Sequence, residues 1–268
     1  MKKLEFNEYL KRIRVADCKS TLNDLTKLQQ SHMQNIPFEN LDVIARRKIN
    51  LDFENLFTKI VQEGRGGYCF ELNILYSHLL KHLGFEPKPV LGRVWLRNPT
   101  KTPPRNHLAH LVNLNGKTFV TDVGFGGLTT RIPLNINDNS EINDQDGFVR
   151  ISSFSENQFM VQRKVKNKWE NQYSFENVDI SEEDILISNY YMSTNPKSHF
   201  YNANFIGKFT SNGRIGLYNN QMSIRKGIEV TDKQNVAYGE EWIDTIKTQF
   251  GLELDFSESE LQMIFKQN

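Results

Sequence analysis

The residues that could do chemistry in this 268-residue chain are few. Cys69 lies in Arg65-Gly66-Gly67-Tyr68-Cys69-Phe70-Glu71-Leu72-Asn73. Two glycines let a chain turn sharply and approach a ligand closely. An apolar stripe at helical spacing (Leu72, Leu75, Tyr76, Leu79, Leu83) follows the cysteine and stops at Gly84, with Pro87 beyond. The spacing predicts Cys69 at a helix N-terminus. Free backbone N–H groups and the positive dipole end favour thiolate over thiol there, and Arg65 would add positive charge. The same N–H groups could hold an oxyanion on a carbonyl attacked by the sulfur. The alternative is a buried structural cysteine; Cys18 is read as structural or as plain surface.

A cysteine nucleophile needs a base, and the base needs an orienting group. Of the six histidines, His107 and His110 compete for that position, and strand parity separates them. Asn115-Gly116 is a strong hairpin signal between His107–Leu114 and Lys117–Val123. A two-residue turn pairs Leu114 with Lys117 and sets Asp122 opposite Ala109. His107 then shares a face with Asp122 as its diagonal neighbour, and His110 faces away with Thr121. A one-residue bulge would reverse that choice. Asp122 opens into the glycine-rich Val123-Gly124-Phe125-Gly126-Gly127, which lacks the ending of a phosphate loop and suits close approach of backbone to substrate. His78 and His82 are one helical turn apart, the spacing of a metal pair. No third ligand accompanies them, so they are read as solvated helix residues and no metal is expected.

The elements that must position these groups form three stretches. Leu22, Leu25 and Leu28 mark one helix after a Ser20-Thr21 cap with Asp24 three residues on, and Phe53, Leu56, Phe57 and Ile60 mark a second after Asp52. Strands follow at Val90–Leu96, in the hairpin, and at Val149–Phe154 and Phe159–Val165, with Lys166-Asn167 as a turn and 135–147 as a loop. A short helix is expected from Ser181. Strands at Asn204–Phe209 and Arg214–Tyr218 come next, then helices at Glu241–Phe250 and from Ser257. Helices, antiparallel strands and a mixed tail imply an α+β fold with boundaries near 85 and 195. A net charge of +1 argues against a broad nucleic-acid or membrane surface. With two cysteines, a polar N-terminus and no long apolar run, a cytoplasmic location is expected.

These motifs resemble the arylamine N-acetyltransferase family. The resemblance rests on the Arg65–Asn73 segment, on Ile36-Pro37-Phe38-Glu39-Asn40-Leu41-Asp42, and on Asp122-Val123-Gly124-Phe125-Gly126. Asn106-His107 stands where the family usually has Thr-His. The last third is similar only around Ser198-His199-Phe200 and Gly213-Arg214-Ile215. The resemblance implies a catalytic triad of Cys69, His107 and Asp122 in a cysteine-protease-like core. It implies a helical bundle over 1–85, a central antiparallel β-barrel over 86–195 and an α/β lid over 196–268. Phe38, Phe125 and Phe205 would line the acceptor pocket. Arg65, Tyr68 and Gly126 would shape the site or support the triad. Lys208, Thr210, Ser211 and Arg214 would contact CoA.

The activity implied is ping-pong transfer of acetyl from acetyl-CoA, a co-substrate, to an aromatic amine or hydrazine, with no permanently bound cofactor. Such a role belongs to xenobiotic metabolism. A cysteine hydrolase or transglutaminase-like enzyme would use the same triad order with water or lysine as acceptor, and a non-enzymatic binding module is a third reading.

Overall fold

The structure, a computed structural model, describes residues 1–266; residues 267 and 268, at the end of the expected third segment, lie outside the described residues. The chain opens with α1 (Lys3–Arg12), α2 (Leu22–Asn35), the two-residue strand β1 (Phe38–Glu39) and α3 (Leu41–Ile44). Then come α4 (Phe53–Phe57), extended by a π-helical turn (Thr58–Gln62), and α5 (Cys69–His82). Thr21 caps α2 by accepting from the Asp24 N–H at 3.1 Å. The stripe of α2 that reaches the core is Leu25, Leu28, Gln29, His32 and Met33, whereas the expected Leu22 is exposed. The polar N-terminus forms α1 because Tyr9 and Leu10 are buried on one face.

A large antiparallel sheet follows. Its strands are β2 (Pro87–Val94), β3 (His107–Leu114), β4 (Lys117–Thr121), β5 (Leu134–Asn135), β6 (Ile142–Asn143), β7 (Phe148–Ser155), β8 (Gln158–Val165) and β9 (Lys168–Glu176). Leu114 pairs with Lys117 and His110 with Thr121, and Asn115 and Gly116 both take positive φ, as a type I′ turn requires. Lys166 and Asn167 repeat this turn between β8 and β9.

The expected barrel is instead an open, curled sheet. Its hydrogen-bonded order is β5-β4-β3-β2-β9-β8-β7-β6, with two-residue strands at both ends. Side chains tie down the loop between β4 and β5: the carbonyls of Leu128 and Thr129 accept from Arg163, and the Arg131 N–H donates to Asp144.

The last part contains α6 (Glu182–Thr194), α7 (His199–Asn202), β10 (Phe205–Thr210), β11 (Gly213–Tyr218), β12 (Gln221–Lys226), β13 (Glu229–Asn235), α8 (Glu240–Thr245, with a π-helical turn to Phe250) and α9 (Glu258–Phe265). A second antiparallel sheet runs β1-β10-β11-β12-β13. Residues 38 and 39 thus reach across the chain to pair with β10. One apolar core lies among α1, α2, α4 and α5, a second inside the curled sheet, and a third between the later sheet and α8–α9. No described helix is long and apolar enough to cross a membrane.

Candidate active site

Cys69 is the first residue of the 14-residue α5, and Tyr68 is its N-cap. The Glu71 carboxylate accepts the Tyr68 N–H at 3.1 Å and closes the capping box. First-turn N–H groups have no acceptor within a helix, so the sulfur lies at the positive end of the macrodipole. Its thiol donates to the Asn106 carbonyl at 3.8 Å.

His107 begins β3, and Asp122 follows the last residue of β4. The unbulged hairpin register puts them on one face, and His107 Nε2 is 2.7 Å from Asp122 Oδ2, both side chains almost fully buried. Asp122 Oδ1 accepts from Asn73 Nδ2 at 2.9 Å and from the Gly124 N–H at 2.8 Å. Asn73 also donates to the Leu108 carbonyl and accepts the Val123 N–H. It lies one turn along α5 from Cys69, so one helix carries both the sulfur and the clamp on the carboxylate. Gly124 makes this approach sterically feasible: a Cβ there would stand 2.8 Å from both Cys69 Cα and Asn73 Nδ2.

Burial disfavours charge on His107, but the Asp122 carboxylate and the adjacent Cys69 sulfur outweigh it and push the imidazole up to about 10. Burial likewise opposes charge on Asp122. His107, Asn73 and the Gly124 N–H nevertheless hold its carboxyl below the usual range. His110 is buried on the other face, and that burial pushes it down to about 3. Of the two histidines, only His107 carries a proton readily at neutral pH.

A cavity of about 390 Å³ opens over Cys69 and His107. Phe38, Phe125, Phe205 and Gly126 line it, as do Lys208 and Arg214. Gly126 has φ +70°, and a Cβ there would press on the Phe38 ring at 2.9 Å. The Phe125 ring meets His107 edge-on at 5.1 Å. Four expected residues lie elsewhere. Arg65 is buried outside the cavity lining, bonded to Glu39, Asp42 and Asp255, because three carboxylates attract it inward. Tyr68 is fully buried, and its hydroxyl donates to Asn189. Thr210 and Ser211 do not line the cavity: the Thr210 carbonyl accepts from Arg131, and Ser211 is exposed in the turn.

Sequence reasoning passed over Asn73, although it stands four residues after Cys69 in the quoted motif. It also passed over His199 and Phe200, which line the cavity from a segment noted only as similar. Ser223 and Arg225 carried no signal, since their strand was not foreseen. His82, expected in solvent, is exposed there with its ring stacked on Phe6, whereas His78 is half-buried against Phe53.

A family model described as N-acetyltransferase matches residues 21–259. The arylamine N-acetyltransferase of Escherichia coli (strain K12) is 30% identical over 251 residues, covering 93% of this chain and 89% of the relative. The Salmonella typhimurium arylamine N-acetyltransferase / N-hydroxyarylamine O-acetyltransferase is 32% identical, covering 91% and 89%. The solved arylamine N-acetyltransferase from Salmonella typhimurium superposes with a TM-score of 0.92 at 29% identity, over 99% of this chain and 98% of that one. The Mycobacterium marinum enzyme in complex with CoA gives a TM-score of 0.92 at 28% identity, over 98% and 99%. On sequence and structure alike, the chain belongs to the arylamine N-acetyltransferase family.

Proposed function

We propose that the protein carries acetyl from acetyl-CoA to aromatic amines or hydrazines in two steps through an acetyl-cysteine on Cys69. The observation that carries this reading is the 2.7 Å His107–Asp122 pair beside Cys69 at an apolar cavity. Nε2 of His107 faces Asp122, which leaves Nδ1 for the sulfur. With its imidazole pushed up to about 10, His107 holds the thiol proton and Cys69 reacts as thiolate. The sulfur attacks the thioester carbonyl, the carbon–sulfur bond to CoA breaks, and the imidazolium returns its proton to the departing CoA thiolate. The amine nitrogen then attacks the acetyl carbonyl. His107 takes the amine proton, and the bond to Cys69 breaks. Asp122 fixes the tautomer and stabilises the imidazolium.

Aromatic amines are mostly neutral at pH 7, so they keep the lone pair this step needs. Phe38, Phe125 and Phe205 favour a flat apolar ring and help exclude water from the acetyl-enzyme. Lys208 is the CoA-phosphate candidate, since it lines the cavity and, among the described residues, its Nζ donates only to the Phe250 carbonyl. In this reading residues 1–85 bring the nucleophile, 86–195 bring His107 and Asp122 in a cysteine-protease-like arrangement, and 196–268 cover the cavity as a lid.

Mixing the protein with acetyl-CoA alone and following free CoA thiol tests the order of steps. The expected result is a burst of about one thiol per chain, then slow release that an arylamine accelerates. CoA release that waits for the amine would sink the two-step scheme.

A further inference from the structure

Gln29 is a polar residue in an apolar stripe. It lies on α2 with Leu25, Leu28 and Met33 and is fully buried. A carboxamide taken out of water is costly unless its hydrogen bonds are met. Here the three bonds go to the segment that carries Asp122. Gln29 Oε1 accepts the Thr121 hydroxyl at 2.8 Å and the Asp122 N–H at 3.4 Å. Its Nε2 donates to the Thr130 carbonyl at 3.3 Å.

The backbone there needs such a partner. Pairing of β4 with β3 ends at His110–Thr121, and β5 meets only Phe119 and Val120. Asp122 therefore lies beyond both ladders, and its buried N–H must be met by other means. Past the end of β4, three consecutive N–H groups are each taken by a side chain: Asp122 by Gln29, Val123 by Asn73, and Gly124 by the Asp122 carboxylate. Asn73 comes from α5, the helix of Cys69, and Gln29 from α2, so two helices hold one strand end. Gln29 also reaches Thr130, at the far end of the loop whose residues 123–128 line the cavity. One side chain thus ties both ends of the loop that presents Phe125 and Gly126.

We propose that Gln29 is a positioning residue for the transfer site. It touches no reacting atom. By fixing the backbone of Asp122 it fixes where the carboxylate meets His107, and so how firmly the imidazolium is held beside the Cys69 thiolate. Through Thr130 the same carboxamide keeps the Phe125 ring, which meets His107 edge-on at 5.1 Å, in register with that pair. The His107–Asp122 contact is 2.7 Å, and a displacement of about 1 Å in a catalytic group can cost roughly a hundredfold in rate. The inference rests on the transfer reading above.

The test is Gln29→Met, which keeps the length of the side chain and removes all three bonds, beside Thr121→Val, which removes one. Two rates are read in each protein: alkylation of Cys69 by iodoacetamide against pH, and single-turnover release of CoA thiol from acetyl-CoA. The melting temperature serves as a control on folding. Gln29→Met should raise the alkylation midpoint by about one pH unit, equivalent to a tenfold weaker hold on the ion pair. It should slow CoA release by roughly tenfold to a hundredfold, with the acetyl-CoA concentration for half-maximal rate unchanged. Thr121→Val should move both rates in the same direction by less, and it decides the matter if Gln29→Met does not fold. A variant that melts lower but keeps the wild-type midpoint and release rate would overturn the proposal, because Gln29 would then only fill the core. Alkylation needs no acetyl-CoA, so the two readings fail separately. Absence of the CoA burst in the wild type would remove the transfer reading, whereas the midpoint shift between wild type and variant would still decide the role of Gln29.

Discussion

Asp122 is buried and accepts from three groups: His107, Asn73 and the Gly124 N–H. Asp122→Asn keeps the shape but replaces an acceptor with a group that would force the wrong tautomer on His107. In the same triad logic this lowers kcat by roughly 10³- to 10⁴-fold, readable in steady-state assays with the melting temperature as a control on folding. The pair also has a pH signature. His107 is raised from its ordinary value of 6.5 to about 10. Its contribution to stability is therefore complete below about pH 6.5 and fades as pH rises through about 10. The denaturation midpoint gap between the wild type and His107→Asn should narrow across that window; a constant gap would show that the charge on His107 adds nothing. Strand parity was enough to seat His107, rather than His110, next to Asp122, because the two-residue turn admits no slip. Arg65 and Tyr68 are both absent from the cavity lining, and Tyr68 instead caps the helix that carries Cys69: a motif says that a residue stands near the cysteine, not which way its side chain faces.

At the scale of elements, the contact between α5 and the segment after β4 matters most. Gly124 touches the Cys69 backbone, and no larger residue fits. Gly124→Ala should cost about 1–3 kcal/mol of stability through overpacking. It should slow acetylation of Cys69 more than that loss explains, since it pushes the Asp122 segment off α5. Single-turnover rates beside urea melts separate the two effects. Helices and hairpins with caps, periodic apolar faces or Asn-Gly turns were legible: Ser257 does cap α9 with Glu260, and Ser181 caps α6 with Asp184. Strands β12 and β13 were not. β13 is exposed along its whole length, so it carries no alternation to read, and β12 alternates only weakly.

Across the whole molecule, a network of charges ties the ends of the chain together. Arg65 binds Glu39, Asp42 and Asp255; Arg47 binds Asp255 and Glu260; Lys59 binds Asp42 and Glu71. Burial would raise the Asp42 carboxyl, yet Lys59 and Arg65 bring it to about 2. These residues belong to segments more than 180 positions apart, and sequence spacing alone could not have joined them. Removing one partner of a buried pair leaves the other uncompensated. Glu39→Gln should therefore cost roughly 3–5 kcal/mol in a denaturant melt, whereas Lys247→Gln, whose partner Glu253 is exposed, should cost under about 1 kcal/mol.

The most direct test of the central claim is the intact mass of the protein after exposure to acetyl-CoA, beside a Cys69→Ala control. One acetyl adduct is expected on the wild type, none on Cys69→Ala, and loss of the adduct when an aromatic amine is added. No adduct, or an adduct that Cys69→Ala retains, would contradict it.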